Sequence, residues 1–152
     1  KKWLIWIDEE TGELSNKRKS PVTGNVYTAF IELYKIKNFL KDKNIRFRFV
    51  LLDIEEFRLL NGWSKDKKKG SCRYDRIPVA LVDEVDIDRT EDYLRFVPYE
   101  LEDGFTTKDF AKAAKIPLRL SQIVVHILKY VGVIEQNGKR GNSYCYRVKE
   151  EP

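Results

Sequence analysis

The chain has 152 residues, with 29 Lys and Arg against 24 Asp and Glu for a net charge of +5, and 42% of it is hydrophobic. That apolar fraction can fill a core, which excludes wholesale disorder, and no apolar run reaches the roughly 20 residues of a membrane span. Two cysteines cannot make a disulfide framework, so a reducing, cytoplasmic setting is expected; the lack of Met beside an opening Lys1-Lys2-Trp3 reads as a piece of a longer protein.

Trp3 to Ile7 is an aromatic and aliphatic run that predicts a strand, and Asp8 to Glu13 reads as a hairpin turn with a return from Glu13 to Ser20. From Tyr27, apolar residues fall at Phe30, Leu33, Tyr34, Ile36, Phe39 and Leu40, a helical spacing that predicts one apolar stripe ending at Asn44. Arg46 to Leu52 begins by alternating and ends as a continuous apolar run, so it predicts a strand entering a core. Glu55 to Leu60 continues as strand or short turn, and Asn61-Gly62 is a turn signal. Trp63 to Ile77 is polar and basic and predicts a long exposed loop, followed by a strand from Pro78 to Val85. Thr90 reads as the N-cap of a short helix with Tyr93, Leu94 and Val97 on one face, stopping at Pro98. Residues 1–88 thus predict a small mixed α/β unit, thin for an independent domain.

The C-terminal segment carries the stronger signal. Thr106 precedes Asp109 by three residues, the spacing of a capping box, and starts a helix that ends near Lys115. Ile116-Pro117 makes a tight turn; a second helix runs from Leu118 to Val131, with Gly132 as its left-handed stop. A strand (Val133 to Gln136), a turn (Asn137 to Asn142) and a strand (Ser143 to Val148) complete the order of a winged helix-turn-helix, residues 89–152, with the helix at Thr90 as its first. The expected class is therefore α+β.

Charge is unevenly distributed. Residues 61–78 carry a net +4, residues 83–103 a net −7 and residues 106–149 a net +7. On the second helix, Leu120, Val124, Ile127, Leu128 and Val131 follow the core spacing, while Arg119, Gln122, His126 and Lys129 form one polar stripe. In a helix-turn-helix this helix enters the major groove, where Arg pairs with guanine edges and Gln with adenine edges. Lys139 and Arg140 at the wing suit phosphate or minor-groove contact. Thr107, Lys108 and Asn142 complete the candidate set, together with Lys67, Lys68 and Lys69 of the basic loop, where Trp63 and Tyr74 are available to stack on a base. The plainer alternative is a merely solvated face, and winged helices also serve as protein-interaction modules.

Asp53, Glu55 and Glu56 follow the strand of residues 46–52, and carboxylates at a strand end can hold Mg²⁺. Glu56-Phe57-Arg58 has the form acid-x-base, although Arg cannot act as a base. A solvent-facing set of charges is the plainer reading. His126 is the only His, the cysteines Cys72 and Cys145 lack ligand spacing, and no Gly-rich phosphate loop follows a strand, so no metal, cofactor or catalytic set is assigned.

Several stretches resemble an uncharacterised bacterial family. They are Lys2 to Asp8, Lys17 to Pro21, Asp53 to Arg58, Gly62-Trp63-Ser64, Phe105 to Asp109 and Gly138 to Asn142. The resemblance implies that this segment lies C-terminal to a restriction-endonuclease-like domain whose catalytic carboxylates do not occur here, and no catalytic residue carries over. Together these readings predict a DNA-binding C-terminal region of a larger, nuclease-like bacterial protein, with double-stranded DNA as partner and a homo-oligomer or protein partner as a further possibility. The alternative is a protein-interaction module of a defence or repair assembly.

Overall fold

The computed structural model describes residues 1–62 and 70–150, and its class is α+β. The chain folds into two compact units: Lys1–Gly24 with the described residues of Val50–Glu84, and Asn25–Phe49 with the chain from Val85 onward. Residues 25–49, expected with the first 88, group with the C-terminal part. The reason is apolar: Phe30, Leu33 and Leu40 bury in one cluster with Phe96, Phe110 and Leu128.

The sheet has the order β2-β1-β3-β4, made of β1 (Lys2–Asp8), β2 (Arg18–Lys19), β3 (Phe47–Leu60) and β4 (Cys72–Ile87), and all of it but the first three residues of β3 and the last three of β4 belongs to the first unit. The run expected at Trp3 to Ile7 is β1, which pairs parallel to β3 from Lys2↔Ile54 to Asp8↔Leu60. The turn after it is held by Asp8, whose carboxylate accepts the backbone N–H groups of Glu10 and Thr11 at 2.9 Å each. Its return is interrupted: Leu14 bridges Ile7 antiparallel, and a two-residue strand, Arg18–Lys19, pairs with Trp3 and Leu4. On the other side of β1, Glu56 meets Arg76 and Asn61 meets Cys72, a descending order that makes β3 and β4 antiparallel. The loop expected over residues 63–77 is therefore strand from Cys72 onward, while Lys67, Lys68 and Lys69 lie outside the described residues. Among the described residues of this unit only Ile5, Ser20, Glu56 and Ser71 are buried, and β4 is exposed from Arg73 to Glu84.

The second unit holds the apolar core. The helix expected from Tyr27 to Leu40 is broken into a 3₁₀ turn (Val26–Ala29), α1 (Phe30–Lys35) and a second 3₁₀ turn (Lys37–Phe39). Ile36 leaves helical backbone at φ −112°, so the single stripe is lost: Phe30, Leu33 and Leu40 are buried, and Tyr34, Ile36 and Phe39 are exposed. Phe30 packs edge-on to Phe96 at 5.1 Å, and the Tyr27 hydroxyl donates to the Phe96 carbonyl at 3.1 Å. The helix expected at Thr90 is a 3₁₀ segment, Thr90–Phe96. Three residues per turn put Tyr93 and Phe96 inward, in place of the Tyr93, Leu94, Val97 face that an α-helix would present. Asp92 starts it by accepting the N–H groups of Asp88 and Arg89.

Then come α2 (Thr107–Ala113), α3 (Leu118–Val131), β5 (Ile134–Arg140) and β6 (Ser143–Val148). β5 runs longer than expected because a bulge at Asn137, with Gly138 at φ 146°, lets pairing resume to Arg140↔Ser143. The six-residue turn reduces to Gly141-Asn142, and Lys139 and Arg140 sit in the strand. Among the described residues no helix is long and apolar enough to cross a membrane.

Candidate nucleic-acid interface

The start of α2 is fixed by a reciprocal cap. Thr106 Oγ1 accepts the Asp109 N–H at 3.3 Å, and the Asp109 carboxylate accepts the Thr106 N–H at 2.9 Å. That backbone N–H holds the Asp109 carboxyl below its usual range, with the Thr106 hydroxyl and Arg140 acting in the same direction against a smaller cost of burial. Lys115 then turns the chain in a left-handed conformation (φ 52°), and Ser121 of α3, fully buried, donates to the Thr107 carbonyl at 2.6 Å. Two helices are thereby locked at a defined distance by one satisfied buried hydroxyl. Thr106→Ala is expected to lower stability by about 1 kcal/mol through loss of the cap, read as a fall in melting temperature.

α3 separates into the two faces that its spacing predicts. Leu120, Val124, Ile127, Leu128 and Val131 are buried; Arg119, Gln122, His126 and Lys129 are exposed. Gly132 ends the helix at φ 93°, a conformation that costs a side-chain-bearing residue more. Along the stripe, a cleft of about 540 Å³ is walled by Thr107 and Lys108 of α2, by Gln122, His126 and Lys129 of α3, and by Asn142 and Tyr144 of the hairpin. Six of the expected residues therefore share one concavity. Lys129 donates to Gln136 Oε1 across it at 3.2 Å, so its ammonium is held at the wall of the cleft.

The others lie elsewhere. Arg119 is exposed on the same helix but does not line the cleft. Lys139 stands over the Tyr144 ring at 4.8 Å. Arg140 forms an ion pair with Asp109, so its charge is shared with the cap of α2 and is not wholly directed outward.

Sequence reasoning missed a second group. Tyr34 stacks edge-on to His126 at 5.2 Å, Lys37 lies over both Tyr34 and Tyr130, and Lys41 stands 4.9 Å from the Tyr130 ring. This extends the basic surface of α3 with aromatic rings and two more lysines. Lys37 and Lys41 are four apart, which is a signal, but the expected continuous helix put Tyr34 in the core. His126 feels the result: burial, Lys37 and Lys129 all depress its pKa. The depressed pKa favours the neutral ring, which offers one hydrogen-bond donor and one acceptor.

The carboxylates considered for metal do not converge. Successive strand residues face opposite ways, so Asp53 and Glu55 share one face of β3 and Glu56 takes the other. Lys17 pairs with Glu55, and Arg58 and Arg76 pair with Glu56. Among the described residues no group of three His, Cys, Asp or Glu side chains is placed to hold a metal ion.

A family model described as a domain of unknown function (DUF8091) matches residues 1–88. No curated protein and no solved structure matches the chain. The matched stretch includes β1 to β4 and α1 and stops short of α2.

Proposed function

The chain belongs to the DUF8091 domain family through residues 1–88, and from the surface of its C-terminal part we propose that it is the DNA-binding region of a larger protein, with residues 89–152 as a winged helix. The supporting observation is the cleft that gathers Lys108 and Asn142 with Gln122, His126 and Lys129 of the exposed polar stripe. Lysines neutralise phosphates and set the register on the duplex; Gln122 and His126 supply the directional hydrogen bonds that base edges require. Lys37 and Lys41 widen the positive surface at the C-terminal end of α3. No catalytic step is assigned to this chain, and the nuclease-like domain implied by the resemblance is part of the same proposal.

Affinity for a duplex should fall steeply with salt, by roughly 0.9 log units per log unit of salt for each phosphate contact. Lys108→Ala and Lys129→Ala should each lower that slope by about one contact, measured by fluorescence anisotropy at several salt concentrations. Gln122→Ala should leave the slope alone and change the preferred sequence. Salt-independent or absent binding defeats the reading.

A protein-interaction role is favoured by one separate observation, the exposed apolar residues Ile77, Val79, Leu81 and Val82 on β4.

A further inference from the structure

We propose that β4 is the contact strand of a homodimer, in which two copies of the chain pair β4 with β4 in antiparallel fashion. The inference is independent of DNA binding. β4 is the edge of its sheet, and from Arg73 to Glu84 it is exposed on both faces. Its middle, Ile77 to Val82, has no charged residue, and Val79, Leu81 and Val82 are 48%, 60% and 57% exposed. An edge strand normally carries protection against pairing: it is short, charged or bulged. The opposite edge obeys this rule, because β2 has two residues and both are basic. In the centre of β4, from Ile77 to Val82, the one such device is Pro78, which removes at most one ladder hydrogen bond per copy.

Two features select a second copy as the partner. The strand that pairs here must itself be apolar on both faces at its centre, and β4 has that composition. The charge of β4 is also polar along its length: Arg73, Asp75 and Arg76 precede the apolar centre, and Asp83 and Glu84 follow it. A two-fold axis through the centre brings the arginine end of one strand against the carboxylate end of the other, whereas parallel pairing would set like ends together. Arg73 is 57% exposed and sits 3.7 Å from a carboxylate that Arg58 and Arg76 hold more closely. It is therefore placed to meet a partner's acid. Such a dimer would also continue the sheet, giving its thinly packed strands a longer ladder.

The test is the mass of the full chain by size-exclusion chromatography with light scattering over a concentration series. The expected result is a dimer, and the double variant Leu81→Lys with Val82→Lys, which places a cation on each face, should dimerise at least roughly tenfold more weakly. Both side chains are exposed, so the variant should keep the melting temperature of the monomer fold; Val79→Thr serves as a mild second variant, with a smaller effect in the same direction. A monomer at every concentration overturns the proposal and leaves the edge to a different protein. A dimer unaffected by the double lysine variant overturns it as well, since the contact then lies elsewhere. Duplex binding by the monomeric variant, measured alongside, separates this outcome from failure of the DNA-binding reading.

Discussion

Glu56→Ala should destabilise the sheet unit by about 3 kcal/mol, the lower end of what removing one partner of a buried ion pair costs. Glu56 is 1% exposed in the middle of β3. Its carboxylate accepts hydrogen bonds from Arg58 at 3.0 Å and Arg76 at 2.8 Å, with Lys2 at 3.4 Å. Without it, a cluster of cations is left facing one another across three strands. Arg76 and Arg73 reach solvent, which keeps the cost from the upper end of the range. Burial alone would raise the pKa of Glu56, but the hydrogen bonds from Arg76 and Arg58 outweigh it and bring the carboxyl below its ordinary value of 4.5. The sign follows: a depressed folded value stabilises above the unfolded pKa, and that contribution is lost as pH falls through the folded one. Denaturant unfolding followed on both sides of pH 4.5 should therefore show an acid-side loss that is reduced in Glu56→Gln. An unchanged acid limb, or a Glu56→Ala protein as stable as the parent, would remove Glu56 from its place as the polar centre of the sheet.

The second large effect is expected in the helical unit. Phe110→Ala should cost about 3–5 kcal/mol, through the transfer term and the cavity left behind. Phe110 is fully buried, its ring 6.2 Å from both Tyr27 and Phe105. It ties α2 to the first 3₁₀ turn, and its loss should lower the melting temperature and weaken the near-ultraviolet circular dichroism of the packed rings. Phe39→Ala, by contrast, removes a ring that is 55% exposed and should change stability by less than about 0.5 kcal/mol. The pair distinguishes packing from mere aromatic content. Should both variants behave alike, the assignment of Phe39 to the surface is wrong.

These two phenylalanines also mark how far the sequence could be read. Phe110 follows a capping box and lies one turn inside a helix, and local chemistry suffices to place it: Thr106, Asp109, Pro117 and Gly132 each act within four residues of their own position. The α3 stripe was legible for the same reason, since a 3.6-residue period over fourteen residues separates the two faces without reference to anything else. Phe39 was misplaced because a period is evidence only where the helix continues. At Ile36 the backbone departs, and the spacing loses its meaning.

What the sequence determined by itself is therefore the α+β class, the order of α2, α3 and the hairpin, the caps, and which face of α3 is polar. All of these follow from interactions between residues close along the chain. Tertiary structure alone decided the rest. It grouped residues 25–49 with the C-terminal core, paired Arg140 with Asp109 and Glu56 with Arg76, and brought Tyr34 and Lys37 against His126. Those contacts join residues far apart in sequence, and they are chosen by which apolar surfaces bury together, a competition that no local pattern encodes.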